Sequence, residues 1–215
     1  MAIVLHKIID TDTEYAVWKI EEPAELLYSK LQLDQSEKEV YESLSKGKRE
    51  LHWLSSRVLL RSLINTPDFI KTALDEHHKP YLVNLPHHFS LSHSFDYAAV
   101  MISKSKKVGI DIELIKDKIL RIEDKFLSKN EQAFINPEQR TKHLYACWAG
   151  KEALYKLFGK KSVSLQEHIR LKPFDYKPKG QMQANILEQN CPVDFTIHYQ
   201  EFEDYMIAFA SSEYI

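Results

Sequence analysis

The chain has 215 residues, 44% of them hydrophobic and 28% charged, so it can bury the core of one large domain or of two smaller ones. Its formal net charge of −2 gives no support to a nucleic-acid partner, and its two cysteines, Cys147 and Cys191, lack the spacing of a disulfide framework or a zinc site. No signal-peptide pattern and no apolar run of roughly 18 residues occurs, so we expect a cytoplasmic protein without a membrane partner.

The first half of the chain predicts two strands, a long helical region and two further strands. Ser36 and Glu39 have the spacing of a capping box, which predicts that the helical region begins there. Apolar residues at helical spacing continue to about Ile64, with a break near Gly47. The strands predicted from apolar and β-branched residues are 3–9, 15–20, 89–94 and 97–103.

The second half predicts a strand, two helices and a series of strands. Ser128 and Glu131 form another capping box, which predicts a short helix that ends at Pro137. A longer helix is predicted for 140–158, because Gly159 is a favourable residue just beyond a helix end. Cys147 in this helix is interpreted as a small buried hydrophobic residue. The predicted strands are 108–114, 163–171, 183–187, 194–199 and 206–210.

The strand at 108–114 carries two carboxylates on one face. Alternation places Gly109, Asp111 and Glu113 opposite the apolar side chains. Two carboxylates repel each other unless a cation lies between them, and Mg²⁺ prefers such ligands. A solvated outer face of an antiparallel sheet is the plainer interpretation. Gly109 either lets a ligand approach or marks a bend in the strand.

The long predicted helix carries the second candidate set. Trp148, Glu152 and Lys156 are four residues apart and share a face, and Lys151 lies about 100° around the helix from Glu152. These residues offer a third carboxylate and two cations for a polyphosphate, whereas the plainer interpretation is a solvated ion pair beside a core Trp. Gly150 counts against a purely structural helix, because Gly costs about 1 kcal/mol relative to Ala.

Two further segments hold polar residues that can contact a phosphate. Ser92 and His93 are adjacent and therefore point in different directions, and no G-x-S-x-G elbow is present. A phosphate contact from His93 is thus favoured over a catalytic triad, and the plainer interpretation is a surface or capping histidine. Lys79 is followed by Pro80, which fixes the backbone and can present the ammonium rigidly.

In chain order, these segments resemble the motifs of the Sfp-type 4′-phosphopantetheinyl transferases (surfactin-synthetase-activating enzymes). The matching segments are Arg49–Arg57, His78–Tyr81, Phe89–Ser94, Val108–Glu113, Phe126–Glu131 and Trp148–Lys156. The ordered set covers most of the chain. The departures are His78 where the family often has Gly, Ser90 for Asn, and Ala149 for Ser or Thr. They touch the nucleotide pocket and helix packing, not the metal ligands.

The resemblance implies an α+β fold, a pseudo-dimer of two similar halves with the active site in the cleft between them. Residues 1–105 would form the N-terminal half, which contacts the coenzyme on its adenylate side. Residues 106–215 would form the C-terminal half, which supplies the metal-binding carboxylates and docks the carrier protein. The resemblance also suggests a monomer.

The resemblance assigns a role to each candidate residue. Asp111, Glu113 and Glu152 are implied as ligands of Mg²⁺, with Mn²⁺ as the alternative. His93, Lys151 and Lys156 are implied to contact the coenzyme phosphates, with Ser92 beside them. Arg57 and Lys79 would meet the 3′-phosphate or adenylate end. Glu152, Lys156 and Asp111 form the implied catalytic set, in which Glu152 removes the serine proton directly or through a metal-bound water.

The implied reaction moves the 4′-phosphopantetheine group of coenzyme A to a serine of an apo acyl or peptidyl carrier protein and releases 3′,5′-ADP. The carrier can belong to fatty-acid, polyketide or nonribosomal peptide biosynthesis. Lysines at 104, 106 and 107, with segment 115–125, either help to dock an acidic carrier or are solvated turn residues. The rival functions are a coenzyme-A-binding protein without catalysis and a metal-dependent phosphohydrolase.

Overall fold

The computed structural model describes residues 2–188 and 191–213, which divide into two compact units between Lys106 and Lys107. Unit 1 is the N-terminal one and unit 2 the C-terminal one. Both contain helices and antiparallel sheet, which confirms the predicted α+β class. Within the described ranges, no helix combines the length and the apolar character that crossing a membrane requires.

Unit 1 is built around a four-stranded antiparallel sheet. Its elements are β1 (Ala2–Ile8), β2 (Thr13–Lys19), α1 (Ala24–Tyr28), α2 (Gln35–Ser43), α3 (Lys48–Ile64), β3 (Thr72–Leu74), β4 (Pro80–Leu82), β5 (His88–Ser94) and β6 (Tyr97–Ser103). The sheet order is β1-β2-β6-β5, and β3 pairs with β4 in a separate hairpin. Helix α3 packs across β6, β2 and β5. The hairpin and α1 are not among the elements that the sequence predicts.

The helical region of unit 1 begins earlier than the sequence indicates. The Asp34 side chain accepts a hydrogen bond from the Glu37 backbone, and Glu37 returns one, so the capping box lies two residues before the predicted pair. Ser36 instead donates its hydroxyl to the Asp34 carboxylate over 2.8 Å. The predicted cap at Ser36 is therefore wrong. The predicted break is confirmed, because Gly47 stands before α3 with φ of 93°.

Unit 2 places one long helix on a five-stranded antiparallel sheet. Its elements are β7 (Lys107–Leu114), two short 3-10 helices (Asp117–Arg121 and Glu123–Lys125), α4 (Lys129–Gln132), α5 (Arg140–Phe158), β8 (Ile169–Leu171), β9 (Lys179–Glu188), β10 (Cys191–Phe202) and β11 (Tyr205–Ser212). The sheet order is β7-β11-β10-β9-β8, and α5 packs mainly on β7 and β11. The strand predicted for 163–171 is wrong over most of its length, since only Ile169–Leu171 is strand.

The two helices of unit 2 follow their sequence signals. The Ser128 and Glu131 capping box opens α4, as predicted, but the helix ends at Gln132, before Pro137. Helix α5 has the predicted bounds, and Gly159 ends it in the left-handed conformation with φ of 78°. Cys147 on α5 is fully buried, and burial raises the pKa of its thiol, which confirms that it is a small core residue.

Candidate active site

Strand β7 and helix α5 pack so closely at Gly109 that no side chain fits between their backbones. A Cβ added to Gly109 would lie 2.0 Å from the Ala153 carbonyl oxygen and 2.7 Å from the Leu157 nitrogen. Only a glycine fits there, so α5 covers the face of β7 that also carries Asp111 and Glu113. Asp111 is 3% exposed, so the interpretation of this face as a solvated outer face is wrong.

Polar side chains of α5 meet the two carboxylates of β7. The Lys156 ammonium lies 2.6 Å from Asp111 Oδ1. The Trp148 indole donates a hydrogen bond to Glu113 Oε1 over 3.2 Å and packs edge-on against the Phe126 ring, 5.1 Å away. The predicted shared face of Trp148 and Lys156 is thus the one that α5 presents to Asp111 and Glu113.

Glu152 adds a third carboxylate to this group, which is called the carboxylate cluster below and comprises Asp111, Glu113 and Glu152. Burial, together with the negative charges of Asp111 and Glu113, raises the pKa of Glu152 to about 7, while Lys156 acts in the opposite direction. The cluster therefore concentrates more negative charge than one ammonium balances. A cation placed among these side chains would relieve that repulsion.

The chemistry of the carboxylate cluster fits a hard divalent cation. Mg²⁺ prefers a few carboxylate oxygens together with water and phosphate oxygens, and the cluster offers only carboxylates. Within residues 2–188 and 191–213, no three His, Cys, Asp or Glu side chains are already disposed to hold a metal ion. The fit of these residues to Mg²⁺ is one of charge and ligand type alone.

Lys151 lies in the interior of unit 2. Its side chain is fully buried, and its ammonium donates to the carbonyl oxygens of Phe126, Leu165 and Ile169 over 2.8–2.9 Å. The Glu131 carboxylate lies 2.7 Å from the same ammonium. Because these acceptors already surround the three N–H donors, the predicted phosphate contact from Lys151 is corrected to a structural role.

Glu131, which the sequence placed at a helix cap and in the Phe126–Glu131 motif, also has a structural role in unit 2. It is 2% exposed, caps α4 through Ser128, pairs with Lys151 and accepts the Leu171 backbone N–H over 2.9 Å. It thereby ties α4, α5 and β8 together. The capping-box spacing identified its first role, but nothing local to its sequence indicates the other two.

The other candidate residues lie in unit 1. Ser92 is buried on β5, and His93 follows it with an exposed side chain. Lys79 precedes β4, and its backbone N–H donates to Asp75 Oδ1 over 2.8 Å. Arg57 lies on α3, with its guanidinium 3.6 Å from the centre of the Trp53 ring. Burial lowers the pKa of Arg57 to about 10.

Arg57 also lines a pocket inside unit 1, between α2, α3 and the segment that leads into β3. The pocket is lined by Leu31, Gln32, Leu33, Glu37, Arg57, Leu60, Arg61, Ile70 and Thr72. Glu37 accepts a hydrogen bond from the Thr72 hydroxyl over 2.8 Å. The stacking of Arg57 on Trp53 gives its guanidinium a packing role, whatever ligand it contacts.

Comparisons with known proteins match the same region. The family model described as the 4′-phosphopantetheinyl transferase superfamily matches residues 107–210. A 4′-phosphopantetheinyl transferase of Bacillus subtilis is 36% identical over 98 residues, which are 44% of this chain and 43% of the relative. The transferase AcpT of Salmonella typhimurium is 35% identical over 120 residues, 53% of this chain and 61% of the relative.

A longer match extends into unit 1. The transferase gsp of Aneurinibacillus migulanus is 31% identical over 173 residues, which cover 78% of this chain and 67% of the relative. The matches to the first two relatives span about half of their lengths. On the strength of the longer match and of the family model, the chain belongs to the 4′-phosphopantetheinyl transferase superfamily.

Proposed function

We propose that this protein transfers the 4′-phosphopantetheine group of coenzyme A to a serine of an apo acyl or peptidyl carrier protein. The observation that carries the proposal is the carboxylate cluster with Lys156, held between β7 and α5 in a chain of this superfamily. The serine oxygen bonds to the phosphorus nearer pantetheine. The bond from that phosphorus to the bridging oxygen breaks, and 3′,5′-ADP leaves.

In this proposal, Asp111, Glu113 and Glu152 would hold Mg²⁺, or Mn²⁺ as the alternative. The ion would supply positive charge that offsets the negative charge of the pyrophosphate. Lys156 moves from Asp111 toward a phosphate oxygen and stabilises the charge that builds on it. Its side chain is 27% exposed, so it can reach a ligand without unfolding the helix. Glu152 takes the proton of the serine hydroxyl, directly or through a water.

Unit 1 contributes the coenzyme-side contacts in this proposal. His93, with Ser92 beside it, contacts a phosphate of the coenzyme, while Arg57 and Lys79 serve the 3′-phosphate or adenylate end. The two units would form a pseudo-dimer whose cleft takes coenzyme A. The exposed His93 ring supports its assignment, because a phosphate can reach it without a backbone rearrangement.

The carrier protein is proposed to dock on unit 2. Segment 115–125 contains two 3-10 helices and the basic residues Lys116, Lys118, Arg121 and Lys125. Lys106 is less suited to this role, because its ammonium is held by Asp10 over 2.8 Å. Charges around a docking surface mainly raise the rate of encounter with an acidic partner. A cytoplasmic monomer is the proposed state of the protein.

The proposal is tested by intact-mass spectrometry of apo acyl and peptidyl carrier proteins after incubation with this protein, coenzyme A and Mg²⁺. We expect a mass gain of one phosphopantetheine, which is lost with Asp111→Asn and with a chelator. No gain on any carrier would overturn the proposal. In that case, free 3′,5′-ADP would indicate a phosphohydrolase, and coenzyme binding without ADP would indicate a non-catalytic coenzyme-A-binding protein.

A further inference from the structure

His52 on α3 stacks on the imidazole of His93. The two ring centres are 4.3 Å apart and the planes differ by 18°, so the rings lie nearly parallel. Histidines 41 positions apart meet because α3 packs beside β5. His52 is partly buried and His93 is exposed, so the stack supports the more exposed ring from the protein side.

A second contact fixes His52 itself. Its Nε2 lies 2.7 Å from the carbonyl oxygen of Phe95. A carbonyl oxygen can only accept, so Nε2 must carry a proton and donate it. This hydrogen bond sets the rotation of the His52 ring and requires a proton on Nε2. The ring that supports His93 is therefore held at a defined angle.

The turn that provides this carbonyl is itself restrained. Phe95 has φ of 50°, a left-handed conformation that a bulky residue adopts only when its surroundings require it. The Lys48 ammonium lies 4.7 Å from the centre of the Phe95 ring. Lys48 and His52 are one helical turn apart, so one face of α3 holds the side chain and the carbonyl of the same turn residue.

We infer that His52 is a positioning residue that holds the imidazole of His93 in the orientation in which it contacts a coenzyme phosphate. The inference rests on the proposed function, because the phosphate contact of His93 is part of it. Stacking covers a face of the His93 ring and does not use the nitrogen atoms at the ring edge. A ring that is ordered before the ligand arrives avoids the entropy loss of immobilising it on binding.

The variants separate the stack from the hydrogen bond. His52→Ala removes both and should raise the KM for coenzyme A about five- to tenfold, with a smaller change in kcat. His52→Phe keeps an aromatic ring against His93 but cannot donate to Phe95, so it should recover part of the loss. His6→Ala, at an exposed histidine of β1, is the control and should leave KM unchanged.

A double-mutant cycle gives the decisive result. If His52 acts through His93, His52→Ala should change KM in the wild-type background and have little effect in a His93→Ala background. Equal effects in both backgrounds would overturn the inference, as would no effect in either while His93→Ala itself weakens binding. Absence of transfer by the wild-type protein would instead count against the proposed function.

A measurement independent of activity tests the stack directly. In the NMR spectrum of ring-labelled histidine, the His93 ring protons are identified by their loss in His93→Ala. Their chemical shifts should move in His52→Ala and stay near the wild-type values in His52→Phe, because an aromatic neighbour is retained. Unchanged shifts in His52→Ala would overturn the inference even if the enzyme is a transferase.

Discussion

Units 1 and 2 both place one long helix across an antiparallel sheet, and they differ in what lies between helix and sheet. In unit 1, Leu54 and Val58 of α3 belong to the same apolar cluster as Val100 of β6. In unit 2, part of the contact is polar, because α5 faces Asp111 and Glu113 across Gly109. Apolar packing is enough to hold a helix on a sheet, so stability alone does not account for the carboxylate cluster.

The largest effect is expected on activity, from a change in the carboxylate cluster, which is the main difference between unit 2 and unit 1. Glu152→Gln keeps the shape of the side chain and removes its charge. We expect transfer to the carrier to fall about 10³-fold, the range of losing a catalytic proton acceptor or a metal ligand. The measurement is the initial rate of carrier modification by intact-mass spectrometry at saturating coenzyme A.

The same variant separates catalysis from stability. Because Glu152 lies among other carboxylates, Glu152→Gln should not lower the melting temperature measured with a chelator. Glu39→Gln is the control, because it makes the same chemical change at an exposed position of α2. A Glu152→Gln protein that kept wild-type turnover would contradict the catalytic role, and one that unfolded would indicate a structural role instead.

The second largest effect is expected on stability, from the buried ion pair of Glu131 and Lys151 in unit 2. Glu131→Gln leaves the Lys151 ammonium in the core without its carboxylate, at 0% exposure. Removing one member of a buried pair costs about 3–5 kcal/mol in the free energy of unfolding. Urea denaturation followed by circular dichroism measures this cost.

A double replacement sharpens this comparison. Glu131→Gln combined with Lys151→Met removes both charges, so its cost should be smaller than the sum of the two single variants. Glu50→Gln provides a contrast in unit 1, because its partner Lys46 is 75% exposed and can be solvated. Equal losses from Glu131→Gln and Glu50→Gln would show that burial does not decide the cost.

The third largest effect is also expected on stability, at Gly109, where β7 and α5 approach each other closely. In Gly109→Ala, a methyl group would overlap the backbone of α5, which cannot move aside as a side-chain end can. We expect a loss of about 3 kcal/mol in the free energy of unfolding, at the upper end for overpacked cores. Gly150→Ala is the matched variant, measured in the same denaturation experiment.

Gly150 faces a more adaptable neighbour. A Cβ there would meet the terminal methyl of Met182 at 3.0 Å, and that flexible side chain can shift. Alanine also gains about 1 kcal/mol of helix propensity, so Gly150→Ala should be close to neutral. If the two alanine variants were equally stable, helix–strand contact at Gly109 would not be as close as the structure indicates.

Gly109 and Gly150 show what the sequence could and could not predict. Strand alternation placed Gly109, Asp111 and Glu113 on one face, and helical spacing placed Trp148, Glu152 and Lys156 on another. Both patterns are local, and both hold. Whether the two faces meet depends on the packing of α5 on β7. The contacting residues are 35 or more positions apart, so this packing has no local signal in the sequence.

Lys151 is a residue whose role the sequence did not predict. Its position in a motif implied a phosphate contact, and its charge made a ligand the natural partner. The structure gives it three backbone carbonyls from two other segments, at Phe126 and at 165–169, together with Glu131. A buried lysine satisfied in this way cannot be recognised from its neighbours, because every acceptor comes from the tertiary fold. The capping box at Ser128 was predictable, since all its atoms lie within four residues.

The smallest effect concerns the aromatic core of unit 2, where His143 is fully buried. Its ring contacts Phe134, Phe174 and Tyr176. The Asn136 backbone N–H donates to His143 Nδ1 over 3.1 Å, which requires Nδ1 to be unprotonated. Burial lowers the pKa of His143 to about 4, while the negative charge of Asp175 opposes the shift.

The sign of the pH dependence follows from this lowered pKa. The unfolded chain, with an ordinary histidine pKa of about 6.5, binds a proton at a higher pH than the folded chain does. Stability is therefore fully present above about pH 6.5 and falls as the pH drops toward about 4. Between pH 7.5 and pH 4.5 we expect a loss of about 2 kcal/mol from this group, measured by urea denaturation across the pH range.

His143→Asn isolates this contribution, because its side-chain oxygen can accept the Asn136 N–H but does not take up a proton in this range. The variant should be less stable than wild type at pH 7.5, where it loses ring packing, and should lose less stability on acidification. If the free energy of unfolding fell as steeply with pH in His143→Asn as in wild type, the loss of stability in acid would come from other groups. Burial of His143 would then not distinguish the core of unit 2 in its response to pH.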